Sequence, residues 1–442
     1  MVTTTSTISF RRHDLDNLRT SLTGLVILHH TSISFGGLGS WPFQSVSVPG
    51  VVPTVAAFNA FNQSFFMGLF FWISGRVSAQ SLSRSSSRGA FIRSKIRRLV
   101  LPAAVYTVLV NPVVAVLGLP SWDRRIVQKT LWASVSGIRG ARGPVWYLAT
   151  LAMFDIITAV LYKIPAAASP TTVSKSEKQT VSTAPSWLNY KSVSTWGWIP
   201  VGLACFVIRL WEPLGERTPV ISVQLGYTSQ FVYAYVLGHM SHWSNEERMI
   251  SPLEQKKKNK KKQTSTSNKD NRDINPSLAL ASAISLSALA LMPVPALIAT
   301  DTFDANEITS QMRGGWNSFA FGYAMWNEFS FALMGPALMA YFRRWHSSGP
   351  KNRDGGGKQG VVSARNAYAA FLVHAPVGIA ISRVLDTCLC WGGARPAWMD
   401  TAVWTVLGPL VMTGSAGLMS VYGSFLVGSK LLEWVPGMTA IL

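Results

Sequence analysis

The sequence predicts an all-α membrane protein, a polytopic bundle of about ten transmembrane helices. Three observations carry this. Of 442 residues, 48% are hydrophobic and only 14% charged, where soluble domains carry roughly 25% charged residues. Seventeen tryptophans suit the aromatic belts of two membrane interfaces better than one soluble core. Ten stretches are long or apolar enough to span, at about residues 18–36, 58–79, 99–118, 144–164, 194–211, 223–243, 277–300, 317–342, 366–385 and 401–431.

Several of these stretches contain Pro or Gly, which bundled membrane helices tolerate because neighbours satisfy the freed backbone groups. The fifth, Ser194 to Trp211, is the shortest, and the last, with Gly408–Pro409 inside it, is long enough to be broken or strongly tilted. Residues 1–17 read as a polar cytosolic N-terminus and residues 18–442 as one transmembrane domain. Two cytosolic loops, 165–192 and 244–276, interrupt it. The first is rich in Ser, Thr, Lys and Pro, and the second holds Lys256–Lys258 and Lys260–Lys262, so both read as disordered and solvated. No cleavable signal is seen, and the first apolar helix is expected to stay as an anchor.

The N-terminus and the even-numbered loops hold 28 lysines and arginines, counting Arg76 and Lys163 at span edges, against 8 in the odd-numbered loops. The positive-inside rule then places both termini in the cytosol. The net charge of +20 is mostly this topology signal, dispersed over several loops, and does not argue for nucleic acid. The third, nominally outer loop is the exception. It carries Arg124, Arg125, Lys129, Arg139 and Arg142. Either these fold back into a cavity that handles an anion, which is the reading we favour, or the span count is off there.

The three cysteines, Cys205, Cys388 and Cys390, make neither a disulfide framework nor a zinc site. His239 and His242, three apart, lack a third metal ligand and read as an interfacial pair, so no metal is expected. The sequon Asn62-Gln63-Ser64 lies at the head of a span, where glycosylation is not expected. Asp354 to Gly357 is a flexible turn without a flanking strand, so it is no phosphate-binding loop.

Function is most legible in Arg19 and His30, eleven residues apart in the first apolar stretch. On an α-helix they share one face to within about 20° and stand roughly 16 Å apart along the axis, while His29 points ~80° away. Ionisable residues inside a membrane helix normally face a polar interior and mark a pathway or a site. Further along come Phe70-Phe71-Trp72-Ile73-Ser74-Gly75-Arg76, whose Ser and Gly also permit close helix contact, and Phe91 to Leu99 ending at Pro102. In the latter, Lys95 and Arg98 are three apart and are expected to share a helix face just under the membrane. A cytosolic cation pair there suits phosphate groups, although a positive-inside flank has the same composition. Gly143-Pro144-Val145-Trp146-Tyr147-Leu148 starts a helix with interfacial aromatics, and Tyr368 to Pro376 places a second imidazole, His374, beside a helix-breaking Pro. Asp155 and Glu328 are the intramembrane carboxylates, each read as half of a structural pair before it is read as the partner of His30.

Taken in order, these stretches resemble the acyltransferase 3 family of integral membrane acyltransferases, in its fungal-like members. Asp16-Asn17-Leu18-Arg19 followed by His29-His30 is similar to the family's Arg-x10-His signature, and Phe71 to Gly75 to its Phe-x-x-Ser-Gly element. Phe91, Lys95, Arg98 and Pro102 resemble its basic element, with Lys95 where an Arg is usual, and Trp146-Tyr147-Leu148 and Tyr368 to Pro376 resemble its later aromatic and His-Pro elements. A Lys there is a point charge, which affects only bidentate phosphate geometry. The resemblance implies a ten-helix bundle that transfers an acyl group other than an aminoacyl group. The usual case is acetyl from cytosolic acetyl-CoA to a hydroxyl of a glycan, lipid or small metabolite. The donor is then a co-substrate, with no permanently bound cofactor. His30 is the expected base or acyl carrier and Arg19 its companion. Arg76, Lys95, Arg97 and Arg98 are candidates for the donor's phosphates, with Asp155, Glu328, His374, Trp146 and Tyr147 as further site candidates. A secondary transporter of a small anionic or polar solute is the rival reading, since it too buries Arg, His and carboxylates in a bundle, but the chain shows no internal repeat.

Overall fold

A computed structural model describes residues 12–136, 140–161, 189–244, 275–291, 305–347, 360–390 and 393–435. Among them the fold is all helix, with no strand. In chain order the helices are α1 (His13–Ile33), α2 (Pro53–Gln63), α3 (Phe66–Arg84), α4 (Arg88–Leu117), α5 (Arg124–Ser136), α6 (Val145–Leu161), α7 (Tyr190–Trp196), α8 (Trp198–Arg209), α9 (Leu225–Trp243), α10 (Pro276–Leu291), α11 (Ala305–Arg313), α12 (Ser318–Trp345), α13 (Ala367–Leu389) and α14 (Ala402–Trp434).

Three of the helices, α4, α13 and α14, are long and apolar enough to cross a membrane, or four spans if the bent pair α7–α8 counts as one. The second expected span, 58–79, is divided: the chain breaks at Ser64–Phe65 between α2 and α3. The fifth is bent by 50° between α7 and α8. There a side chain at Gly197 would strike Tyr233 of α9, whose hydroxyl donates to the Val193 carbonyl at 2.9 Å. The last expected span is not broken, because α14 runs continuously through Gly408–Pro409. The expected loops 165–192 and 244–276, the Gly-rich turn at 354–357, the second half of the seventh span and Arg139 lie largely or wholly outside the described residues.

Small residues set the packing. A Cβ at Gly75 of α3 would run into the Tyr235 carbonyl of α9, and one at Gly238 of α9 into the Trp72 carbonyl. The two helices thus cross backbone to backbone, as small-residue stripes allow where no water drives association. Helix α1 sits centrally against α2, α3, α12, α13 and α14. The outer faces of α4 and α14 leave Val105, Val108, Leu109, Leu410, Val411 and Leu418 uncovered. Such a continuous apolar exterior is suited to lipid and is far from the isolated exposed residues of a soluble surface.

In α4 the sequence expectation fails for a local reason. Pro102 has no N–H to donate, and its ring clashes with the carbonyl four residues back, that of Arg98. The helix widens to a π turn over Ile96–Val100. Lys95 and Arg98 therefore do not share a face: the Lys95 side chain turns inward, 13% exposed, while Arg97 and Arg98 face out. The displaced Arg98 carbonyl accepts a hydrogen bond from the Tyr368 hydroxyl of α13 at 3.0 Å.

Candidate active site

Both Arg19 and His30 lie on α1, one near each end. His29, the alternative imidazole, is committed to the scaffold. It is buried, and Asn59 of α2 donates its side-chain N–H groups to His29 Nδ1 at 3.1 Å, the His29 carbonyl at 3.1 Å and Ser32 Oγ at 2.9 Å. Its Oδ1 accepts from the Leu38 amide at 3.0 Å. This clamp holds the end of α1 and turns the next residue, His30, the other way.

His30 is half-buried, and its Nδ1 is buried without a hydrogen-bond partner among the described residues. Its ring is nearly parallel to two others: Trp41, centroids 4.6 Å apart, and His374 of α13, 5.2 Å apart. Trp41 arrives on the loop after α1. That loop is fastened to α13 by Asp386, whose buried carboxylate accepts from Ser45 Oγ and from the Val46 and Ser47 amides at 2.9 and 3.0 Å. His374 approaches from α13, and its Nδ1 lies 2.6 Å from the Phe371 carbonyl. A carbonyl only accepts, so Nδ1 carries the proton and Nε2 is the bare, basic nitrogen. That Nε2 is buried and unpartnered, as is Trp41 Nε1. These three atoms around two stacked imidazoles keep polar capacity for water or substrate, as do Arg209 Nη1 and Nη2 and Glu328 Oε2 elsewhere in the bundle.

From His374 the aromatic rings continue toward the Arg19 end: Phe371 at 5.7 Å, then Phe70 and Tyr147 at 6.0 and 5.8 Å from Phe371. The Tyr147 hydroxyl pairs with Ser74 Oγ at 2.6 Å, and Trp146 packs its ring against Phe231 at 5.5 Å. Arg19 lies within electrostatic reach of Tyr147 and Tyr368. It is half-buried, and its guanidinium makes no ion pair or hydrogen bond with another described residue. Arg19 thus stands near one end of this row of rings, and the imidazoles of His374 and His30 stand at the other.

The other expected site residues lie apart from it. Asp155 is fully buried and paired with Lys95 at 2.8 Å. It also accepts from the hydroxyls of Ser78 and of Tyr235, the latter at 2.7 Å. The charge of Lys95 is thereby committed to Asp155. Arg76 donates to the carbonyl and hydroxyl of Ser241 at 3.1 and 3.0 Å. Glu328 accepts from Asn327 Nδ2 at 2.8 Å and from Cys205 Sγ at 3.4 Å. Its neighbour is Arg209, fully buried between the rings of Tyr227 and Tyr323 at 5.2 and 5.1 Å. Sequence reasoning missed Trp41, Asn59 and Arg209. Only the buried position of an Arg in a short apolar span could have singled out the last. The three cysteines are unpaired, and no group of three or more His, Cys, Asp or Glu among the described residues is gathered to hold a metal.

An all-helical bundle with an apolar exterior marks a membrane protein. The sequence comparison names its family. The Acyl_transf_3 family, described as an acyltransferase domain, matches residues 12–427, and the chain belongs to that family. It is therefore a membrane acyltransferase. No curated protein and no solved structure matches the chain.

Proposed function

We propose that the protein is a multi-pass O-acyltransferase with a ten-helix frame and cytosolic termini. It takes an acyl group, acetyl in the first instance, from cytosolic acyl-CoA and passes it to a hydroxyl of a glycan, lipid or small metabolite. The observation that carries this reading is the open Arg19–His30 axis, with polar groups unsatisfied at both ends and an aromatic wall between. Arg19 faces the cytosolic end in the positive-inside orientation, where it meets the donor's phosphates together with the exposed Arg97 and Arg98. The acyl-pantetheine arm follows the wall of Tyr147, Phe70 and Phe371 inward. At the far end neutral His30 takes the proton from the acceptor hydroxyl as its oxygen attacks the thioester carbonyl. The carbon–sulfur bond breaks, CoA thiolate leaves, and the imidazolium returns the proton to it. Alternatively, His30 itself carries the acyl group before the acceptor arrives. His374, neutral with Nε2 bare, holds the His30 ring by stacking and keeps a second acceptor of protons beside it.

The test is CoA release from acetyl-CoA by the purified protein in detergent, wild type beside His30→Ala and Arg19→Ala. Turnover lost in His30→Ala and weakened in Arg19→Ala supports the reading. Folded wild-type protein that neither binds nor turns over acetyl-CoA sinks it and moves solute transport to first place.

A further inference from the structure

The cations of the third loop do not fold back into an anion cavity. Arg124, Arg125 and Lys129 stand exposed on α5, and Arg142 is exposed beyond it. Helix α5 is firmly placed all the same. Asp123 caps its first turn, accepting from the Arg125 and Ile126 amides at 2.9 and 3.3 Å. Just before it, the guanidinium of Arg383 from α13 lies over the Trp122 ring at 4.6 Å. The same guanidinium donates to the carbonyls of Leu117, Leu119 and Pro120 at the end of α4. Helix α5 then packs against Asn111–Leu117, the last turns of α4. Because α4 is long and apolar enough to cross a membrane, α5 lies at its membrane exit.

Two asymmetries distinguish this helix. Around its axis, Val127, Thr130, Ala133 and Ser134 are half-buried and the rest is exposed. Leu131, Trp132 and Val135 fall within one arc of about 100°, turned away from the half-buried side, and are 39, 74 and 60% exposed. Along its axis, the three cations occupy the first half, and these three apolar side chains the second. Arg124 stands in line with Leu131, about 10 Å away, and Arg125 and Lys129 flank the apolar arc. None of the three cations makes an ion pair or side-chain hydrogen bond with another described residue. Water would leave the apolar arc bare, and full immersion in hydrocarbon would strand the cations. A bilayer interface with an anionic surface and apolar depth matches both halves, and Trp is the side chain most at home there.

We propose that α5 is an interfacial helix that binds anionic phospholipid in the leaflet at the Leu117 end of α4. Arg124, Arg125 and Lys129 meet the lipid phosphates, with their alkyl stems lying along the apolar surface. Leu131, Trp132 and Val135 enter the upper acyl region. A zwitterionic lipid satisfies the apolar half alone. This lipid site is independent of the acyl-transfer chemistry and of which leaflet faces the cytosol.

The test uses the full-length protein in phosphatidylcholine nanodiscs that carry a trace of photoactivatable phosphatidylglycerol or photoactivatable phosphatidylcholine. Cross-linked peptides are read by mass spectrometry. Phosphatidylglycerol should label α5 at least roughly tenfold more than phosphatidylcholine, because each cation at an anionic lipid surface contributes about fivefold. On the outer face of α14, at the exposed Leu410, Val411 and Leu418, the two probes should label equally. The triple substitution Arg124→Gln, Arg125→Gln, Lys129→Gln should abolish the preference on α5 and leave its phosphatidylcholine labelling in place. Trp132→Ser should lower labelling of α5 by both probes. All four positions are exposed, and unchanged labelling of α14 reports that the fold is intact. Equal labelling of α5 by both probes in wild type overturns the proposal, as does a preference that survives the triple substitution. An α5 that neither lipid labels, beside a labelled α14, also overturns it and gives the face to a soluble partner.

Discussion

Two of the polar clusters inside this apolar bundle, around Asp155 and around His30, differ in whether their hydrogen bonds close. Around Asp155, the ammonium of Lys95 and the hydroxyls of Ser78 and Tyr235 converge on one carboxylate, with Lys95 lying over the Phe91 ring at 5.0 Å. Around His30, by contrast, His30 Nδ1, His374 Nε2 and Trp41 Nε1 are all buried without partners among the described residues. A closed cluster has no capacity left for a ligand. An open one carries an unrelieved desolvation cost that a ligand or water removes. The first therefore ties α3, α4, α6 and α9 together, and the second is where chemistry is expected.

The contrast breaks most sharply on activity. His30→Ala should lower acetyl-CoA turnover by about 10²–10⁴-fold, the range for a lost general base, while the melting temperature stays within a few degrees of wild type. Activity that survives in a folded His30→Ala protein would shift the base to His374, whose own substitution should then be the lethal one. Asp155→Ala should do the opposite. Leaving Lys95 as an uncompensated charge costs about 3–5 kcal/mol of stability, read as a lowered unfolding temperature or a loss of folded protein. The double substitution Lys95→Met with Asp155→Leu should recover most of it. If Asp155→Ala folds normally but loses turnover, the closed cluster is functional after all and the two clusters do not divide into scaffold and site.

Arg19→Ala is expected to have a smaller effect, confined to the donor. Its KM for acetyl-CoA should rise by about ten- to a hundredfold, as for the loss of a charge-assisted contact worth ~1.4–2.8 kcal/mol. The effect should shrink with dephospho-CoA or acetyl-pantetheine, which lack some or all of the phosphates. An equal loss on acetyl-pantetheine would show that Arg19 does not hold phosphate.

These clusters were unequally legible in the sequence, and the reason is range. The Arg19–His30 register was readable because one uninterrupted helix fixes it by rise and rotation alone. The same arithmetic failed for Lys95 and Arg98, because Pro102 widens the helix between them. The meeting of His30 with His374 and Trp41 was not legible at all, since stacking across α13 and a loop depends on tertiary packing. The register pointed to His30, but what occupies His29 was not legible. His29 is held by Asn59, on another helix, through a three-way clamp. Helix positions were likewise broadly readable from hydropathy, whereas the break at Ser64–Phe65 and the bend at Gly197 come from contacts with α9, where Gln230 Nε2 donates to the Ser64 carbonyl at 2.8 Å.

The smallest effect probes the link between the two regions, the Tyr368 hydroxyl that reaches from α13 to the carbonyl of Arg98. Tyr368→Phe removes one neutral hydrogen bond and should cost about 1 kcal/mol. Because Pro102 is what displaces that carbonyl, the cost is conditional on it. In a Pro102→Ala background an ordinary α-helical amide becomes available to the Arg98 carbonyl, and the hydroxyl becomes redundant. A double-substitution cycle of Tyr368→Phe and Pro102→Ala, followed by thermal unfolding, should therefore show coupling of about the full hydrogen-bond value. Amide exchange across Ile96–Val100 should slow in Pro102→Ala as the π turn tightens. Additive effects in the cycle would mean that the widened turn does not depend on the proline, and that the outward-facing Arg97 and Arg98 owe their position to packing against α6 instead.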